Sequence, residues 1–215
     1  MAVTGLILIG FLLAHMYGNL KVFFGAESFD HYAHWLKTDL LYPLVPLGGF
    51  IWIFRAFLLA AIVLHMYAAW KLTLRDRAAR GPSRYVATKR MAQTYSARTM
   101  RWGGVILALF LVFHLLQFTV QAVTPGFERG DTPYEMFVKT FSMPTGLWMV
   151  PLYILWLVAV CMHTRHGVWS GLTTLGLNTS ERARSVLNTA AWIVAVLLFV
   201  GFLVPPLAVL FGWVR

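Results

Sequence analysis

The chain has 215 residues, of which 59% are hydrophobic and 12% are charged, and its formal net charge is +10. A soluble domain carries about 25% charged residues, and a disordered chain is poor in apolar ones, so the composition excludes both classes. It also excludes a basic nucleic-acid-binding protein. With one cysteine, Cys161, the chain alone can form neither an internal disulfide nor a cysteine-ligated iron–sulfur cluster. The sequence therefore predicts an all-α polytopic membrane protein, with one domain over residues 1–215.

Five segments of the chain are long and apolar enough to cross a bilayer as helices, which takes about 20 residues each. In chain order they cover about residues 3–24, 47–72, 102–123, 145–168 and 186–213. We expect the first segment to be a retained span and not a cleaved signal peptide, because it has no basic leader and a long apolar stretch.

Two of the connecting segments carry apolar side chains at helical spacing, one after the first span and one before the fourth. The first stripe is Phe29, Tyr32, Ala33 and Leu36, and the second is Tyr134, Phe137, Val138 and Phe141. This spacing predicts two short helices lying on the membrane surface. Loops that pack on the ends of the spans are the alternative.

The charged residues fall unevenly on the two sides of the predicted membrane. The loop over residues 71–101 and the connection after the fourth span together hold twelve basic residues and two acids, whereas the other side holds five basic residues and six acids. The excess of Lys and Arg marks the cytoplasmic side. We therefore expect a protein of the bacterial cytoplasmic membrane with its N-terminus inside and its C-terminus outside.

Four of the seven histidines lie within spans, each on a different span. They are His15, His65, His114 and His163. An ionisable side chain inside a membrane is expensive and is a functional candidate by default. Because successive spans run in opposite directions, His15 and His114 are expected toward the outside, and His65 and His163 toward the cytoplasm. The two layers should differ in depth by roughly 7–12 Å.

Two imidazoles facing each other at one depth suit the two axial positions of a haem iron. Two such pairs predict two haems b stacked across the membrane in a four-helix bundle. Covalent attachment is not expected, because the chain has no CxxCH motif. Ligation by two histidines leaves no open iron position, which favours electron transfer over oxygen chemistry.

Other polar residues near the spans are candidates for contacts with the haem propionates. His166 lies one helical turn beyond His163 and could replace it as a ligand by spacing alone, but its position near the charged edge favours a propionate contact. Arg98 is a candidate on the cytoplasmic side, together with Arg101 and Lys71. Arg55 lies inside the second span, where it could bind an outer propionate or pair with an acid from a surface helix.

The sequence resembles the cytochrome b subunit of succinate dehydrogenase and fumarate reductase, the respiratory complex II family, of the single-subunit, five-helix, di-haem type. The stretches that carry the resemblance are residues 1–37, 55–73, 96–120 and 163–179. The most specific pieces are HTRHGVWS at 163–170 followed by LGLN at 175–178. Next come HMYGN at 15–19 and the FxxYAxxL pattern at 29–36.

The resemblance implies that His15 and His114 ligate an outer haem b, and that His65 and His163 ligate an inner one. It also implies two cytoplasmic partners, a flavoprotein that interconverts succinate and fumarate and an iron–sulfur protein. These would dock on the basic cytoplasmic face, while membrane lipid surrounds the spans. The chain would not act on succinate itself. It would pass electrons to or from a quinone, most often menaquinone in members of this type.

The site of the quinone is predicted just outside the first span. Glu27 is the nearest match to a glutamate that some family members use, and Glu27 and His31 could exchange protons with a quinone. Ser28 and Asp30 are neighbouring candidates. A solvated loop without a role in catalysis is the alternative for each of these residues.

Other classes of protein remain open at this point. Other di-haem cytochromes of quinone-linked enzymes place two ligands on one helix, which the pattern of one deep histidine per span disfavours. A haem-free membrane anchor or a transporter could use intramembrane histidines to bind a proton or a metal ion.

Overall fold

The computed structural model of the protein describes the backbone of residues 1–80 and 95–215, and the side chains of residues 1–79 and 100–215. Seven α-helices occupy these ranges: α1 Ala2–Leu20, α2 Gly25–His34, α3 Gly49–Arg80, α4 Tyr95–Phe118, α5 Pro133–Phe141, α6 Gly146–Thr174 and α7 Glu181–Leu210. A 3-10 turn, Lys21–Phe24, joins α1 to α2, and a π-helical segment, Trp35–Asp39, follows α2. The described ranges contain no strand, so the all-α class is confirmed.

Five helical segments of the described residues are long and apolar enough to cross a membrane. They are Ala2–Asp39, Gly49–Ala79, Met100–Phe118, Gly146–Thr174 and Glu181–Leu210. Helices are stable inside a bilayer, because each backbone amide finds its hydrogen-bond partner within its own segment and none is left unpaired against lipid. The prediction of five spans is confirmed, with α1, α3, α4, α6 and α7 as the spanning helices.

Several boundaries differ from the sequence-based ones, and local capping explains two of them. Helix α4, which is the third predicted span, ends at Phe118 and not near residue 123, because Gln121 takes a left-handed φ of 55°. The amides of Val120 and Ala122 then turn back to the carbonyls of Leu115 and Leu116 at 2.9 and 2.8 Å. At the other end of the chain, α7 starts five residues earlier than expected, because the Ser180 side chain accepts from the Ala183 amide at 3.1 Å.

The sixth helix is the centre of the bundle. It packs against α7, α4 and α1, and α1 in turn packs against α7 and α3. Within the described ranges, α1 does not pack closely against α4, nor α3 against α6. In α6 and α7 a third of the most apolar stretch is buried, against 6% in α1 and α3. The bundle therefore has a tight half around α6 and α7 and a more exposed half formed by α1, α3 and α4.

The helices alternate in direction and so define two faces of the molecule. The N-terminal face holds the start of α1, the ends of α3 and α6 and the starts of α4 and α7. Asp76 on α3 and Arg101 on α4 form an ion pair of 2.8 Å at this face. The opposite face holds α2 and α5.

Both short helices predicted from apolar stripes are present as α2 and α5, and their stripes pack on one another. The Phe29 ring lies 6.0 Å from Tyr134 and 6.1 Å from Phe137, measured between ring centroids. From α5 the contacts continue into α6, where Phe141 meets Tyr153 edge-on at 5.1 Å. The alternative of irregular loops is therefore wrong for these residues, and α5 is part of the core at the opposite face.

The turn between α5 and α6 has no room for a side chain at Gly146. An added Cβ would overlap the carbonyl oxygen of Phe141 and lie 2.9 Å from Leu210 Cδ1. At Gly171, also buried on α6, the nearest atom to an added Cβ is Ala2 Cα at 3.9 Å, an ordinary contact.

We expect Gly146→Ala to destabilise the fold by about 1–3 kcal/mol, because the backbone of Phe141 must move to relieve the overlap. Gly171→Ala should leave stability nearly unchanged. Unfolding of the purified protein in detergent, followed by circular dichroism, compares the two variants. Equal stability of both would contradict this account of the α5–α6 turn.

Candidate functional site

The four intramembrane histidines form two pairs, each made by helices that do not pack closely together. His15 on α1 and His114 on α4 have ring centroids 5.9 Å apart and ring planes at 86°. His65 on α3 and His163 on α6 have centroids 6.3 Å apart and planes at 59°. We call these the 15/114 pair and the 65/163 pair. They are the pairs that depth along the spans predicted.

The two pairs lie at different levels of the bundle, and three helices give the same spacing. On α1, Gly5 contacts His65 ten residues before His15, because a Cβ added at Gly5 would lie 3.4 Å from His65 Cε1. On α4, Gly104 stands beside His163 in the same way, at 3.7 Å, ten residues before His114. Ten residues of helix rise about 15 Å. The separation is larger than the expected 7–12 Å.

A third measure of the spacing comes from α6. Tyr153 contacts His114 and precedes His163 by ten residues. The 65/163 pair is the one nearer the N-terminal face, since it lies at the level of Thr4 and Gly5 near the start of α1.

A hydroxyl group holds one imidazole of the 65/163 pair. Thr4 Oγ1 lies 3.1 Å from His65 Nδ1 and donates its own proton to the Met1 carbonyl at 3.1 Å. Because a hydroxyl has one proton to give, Thr4 can only accept from His65 Nδ1 in this arrangement. Nδ1 of His65 then carries a proton, and in the neutral imidazole the lone pair is on Nε2.

The 15/114 pair has a similar arrangement. The phenol of Tyr153 lies 3.3 Å from His114 Nδ1 and donates to Gln117 Oε1 at 2.8 Å. Gln117 Nε2 donates in turn to Thr140 Oγ1 at 3.2 Å, and Thr140 donates to the Met136 carbonyl at 2.7 Å. Gln117 and Thr140 are both fully buried, so these bonds satisfy polar groups that water does not reach.

The other imidazole of each pair either lies among aromatic side chains or lacks a hydrogen-bond partner. His15 stacks on Phe11 at 5.4 Å and lies 5.8 Å from Phe202. Nδ1 of His163 is buried and has no hydrogen-bond partner among the described residues. A buried nitrogen of this kind calls for a ligand or a water molecule to complete it.

The structure distinguishes His163 from His166. His163 faces His65, whereas His166 contacts Trp169 at 6.4 Å and lies one turn nearer the N-terminal face. Between them in sequence, Arg165 is buried on the α7 side, where it donates to Asn188 and lies 5.2 Å from the Trp192 ring. His163 is therefore the member of the pair.

The other basic residues predicted to contact haem propionates on the cytoplasmic side differ in what their side chains contact. Arg101 pairs with Asp76, and Lys71 lies 5.6 Å from the rings of both Tyr67 and Trp70. The side chain of Arg98 falls outside the described residues, so its predicted role stays a prediction.

Arg55 lies on an exposed part of α3, with its guanidinium over the Trp52 ring at 4.9 Å. Among the described residues it makes no ion pair with an acid of α2 or α5. The alternative that paired Arg55 with a surface-helix acid is therefore not supported, and the propionate contact stays a prediction.

An open groove of about 660 Å³ lies between the end of α1 and α2, at the opposite face. Glu27 and His31 both line it and are exposed. The rest of its wall is Tyr17, Lys21, Phe24, Ser28, Tyr32 and Trp35. The structure thus brings the two predicted quinone-site residues together on one aromatic wall.

Asp30, a neighbouring candidate, points elsewhere. Its carboxylate accepts from the Tyr134 amide at 2.9 Å, in the first turn of α5. The first amides of a helix have no partner within the helix, and an anion there is favoured by the helix dipole. Asp30 therefore joins α2 to α5.

The sequence-based search missed Tyr153, Gln117 and Thr4 as partners of the histidines. A signal was present for Gln117, since a glutamine three residues after His114 inside a span needs a polar partner. Nothing in the pattern of α6 marked Tyr153, because a tyrosine near the end of a span is common at membrane interfaces.

The spacing of the two imidazoles in each pair can be compared with that of two ligands on one metal ion. Bonds from a metal to imidazole nitrogen are about 2.0–2.1 Å, so two imidazoles on opposite sides of one ion have centroids about 6.4 Å apart. The 65/163 pair, at 6.3 Å, matches this value, and the 15/114 pair, at 5.9 Å, is about half an ångström closer. Among the described residues, no three His, Cys, Asp or Glu side chains gather into one cluster, so the histidines meet only as pairs.

Comparison of the chain with protein-family models, with curated proteins and with solved structures finds no match.

Asp30→Ala should lower stability, because the first turn of α5 loses the carboxylate that accepts from the Tyr134 amide. A hydrogen bond to a charged group contributes about 1.5–3 kcal/mol. Glu27→Ala, on the exposed side of the same helix, should change stability by less than about 0.5 kcal/mol. Unfolding in detergent measures both variants, and equal losses would show that Asp30 does not hold α5.

Proposed function

We propose that the protein is a di-haem cytochrome b that carries electrons across the membrane. The observation that carries this proposal is that four imidazoles meet as two pairs, with ring centroids 5.9 and 6.3 Å apart, so that both imidazoles of a pair could hold one haem. His15 and His114 would hold one haem, and His65 and His163 the other. A haem held by two histidines supplies one-electron transfer and has no position open for oxygen.

The residues around the pairs support ligation through neutral imidazole. Thr4 and Tyr153 each accept from an Nδ1–H, so Nε2 is the nitrogen that carries the lone pair when His65 and His114 are neutral. Such outer hydrogen bonds orient ligating histidines and raise their basicity.

Within this class we propose the membrane subunit of a succinate:quinone oxidoreductase. The resemblance in HTRHGVWS, LGLN and HMYGN carries this step. The N-terminal face would lie in the cytoplasm of a bacterial cell, because most of the Lys and Arg residues are at that face. A flavoprotein and an iron–sulfur protein would dock there, close to the 65/163 pair.

At the other end of the path we propose the groove of Glu27 and His31 as the place where quinone, menaquinone in this family type, exchanges electrons and protons. The groove is at the opposite face, the side nearer the 15/114 pair. An exposed carboxylate and an imidazole on one wall can deliver protons from the aqueous side. Tyr17, Tyr32 and Trp35 offer ring faces for a quinone head group.

The purified protein should show a b-type absorption band in its reduced-minus-oxidised spectrum, equivalent to two haems per chain. His163→Ala should remove one haem and leave the other at least partly bound, because the 15/114 pair is intact. His166→Ala is the matched control on the same helix and should keep both. A wild-type protein without a b-type band would refute the di-haem proposal.

The assignment to pairs has its own test. His15→Ala and His65→Ala should each remove a different haem, distinguished by redox titration of the remaining band. Loss of the same haem in both variants would contradict the pairing.

A tagged chain expressed in its native host should co-purify with a flavoprotein and an iron–sulfur protein, and the complex should reduce a quinone with succinate. Replacing Lys71, Arg75 and Arg77 by Gln should weaken this association at physiological salt, because charge attraction would be lost at the docking face. The matched control replaces Arg129 and Lys139, at the opposite face. A haem-containing chain that purifies alone and is fully active with quinone would point to another quinone-linked cytochrome.

A further inference from the structure

The hydrogen bonds that begin at His114 all run in one direction and end on the backbone of α5. The series passes from His114 Nδ1 to Tyr153, then Gln117, then Thr140, and finally to the Met136 carbonyl. It joins α4, α6 and α5, and Gln117 and Thr140 within it are fully buried.

The final acceptor determines the direction of every bond in the series. A backbone carbonyl can only accept, so the single hydroxyl proton of Thr140 is used on Met136. Thr140 must then accept from the amide nitrogen of Gln117, which turns the amide oxygen of Gln117 toward Tyr153. This network decides the orientation of the amide group.

The same reasoning decides the protonation of the histidine. The phenol of Tyr153 has one proton, and Gln117 Oε1 receives it at 2.8 Å. Toward His114 the phenol oxygen can therefore only accept, so the proton of His114 must be on Nδ1. In the neutral imidazole the other nitrogen, Nε2, is then unprotonated.

This geometry is poorly suited to moving protons. The series ends at a carbonyl without an exchangeable proton, and an amide group would have to pass through its imidic acid to relay one. Its effect is instead to hold one ring in one orientation and one tautomer.

We propose that Tyr153 is a positioning residue for His114, which it holds as the Nδ1–H tautomer through a bond directed by Gln117 and Thr140. The tautomer follows from the hydrogen bonds alone, whereas the use of the bare Nε2 as an iron ligand rests on the proposed function. Thr4 has the corresponding position at His65, so each pair has one imidazole held by a hydroxyl.

The first test measures the Nδ1–H of His114 by ¹⁵N NMR of the purified protein labelled at histidine. We expect this proton to be present and slow to exchange in the wild type. Tyr153→Phe keeps the ring that packs on Phe110 and Phe141 but removes the acceptor, so exchange should become faster.

Two further variants separate positioning from packing. Gln117→Leu leaves the Tyr153 hydroxyl in place but removes the acceptor that directs its proton, so exchange at His114 should also become faster. Tyr134→Phe removes another phenol of the same core, one that donates to the Arg215 carbonyl, and should leave His114 unchanged. An unchanged Nδ1–H in Tyr153→Phe or in Gln117→Leu would overturn the proposal.

A redox titration gives the second test for protein that contains haem. Loss of the bond makes His114 a less basic ligand and so disfavours the oxidised iron. Tyr153→Phe should raise the midpoint potential of one haem and leave the other where it is, and an unchanged pair of potentials would refute the positioning role. A wild-type chain without haem would refute the proposed function, and the exchange of the His114 proton would still decide the assignment of Tyr153.

Discussion

Polar side chains inside a bilayer must find their partners within the protein, because lipid offers none, and this constraint organises the whole bundle. The four imidazoles meet it unequally. Thr4 and Tyr153 each hold one imidazole of a pair, whereas Nδ1 of His163 has no partner among the described residues. Within the described residues, one imidazole of each pair therefore has a hydrogen-bond partner for its ring, and the other has none.

The uneven packing of the bundle follows from the same arrangement. The core at the opposite face is built from α5, α6 and α7, with Phe141 and Met149 buried almost completely. This tight half holds Tyr153 and Thr140 in place, and through them His114. The helix α1 packs on this half and α3 packs on α1, and these two helices carry His15 and His65 to the pairs. A well-buried half therefore positions a more exposed one.

Much of this organisation could be predicted from the sequence, because it depends on coarse physical features. Long apolar stretches specified the five spans, and alternation of direction placed His15 with His114 and His65 with His163. The stripes beginning at Phe29 and Tyr134 correctly indicated short helices. Their packing on one another was not predicted, because a stripe shows which side chains turn away from water and not which surface covers them.

The features that escaped prediction depend on individual hydrogen bonds. The end of α4 depends on the backbone at Gln121, and the role of Asp30 depends on the amide of Tyr134 more than 100 residues away. Tyr153 meets His114 only because α4 and α6 pack together. Such contacts between distant residues are decided by tertiary structure and leave no local pattern.

The ten residues that separate the two pairs along a helix also change the direction in which side chains point around the helix axis. At 3.6 residues per turn, ten residues fall about 80° short of three full turns, so each helix presents a different side to each level. The first helix meets α3 with the side of Gly5 and α4 with the side of His15. The two pairs therefore lie on crossing diagonals of the bundle. Because Gly5 and His15 are on one helix, a rotation of α1 about its own axis would change its contacts with His65 and with His114 together.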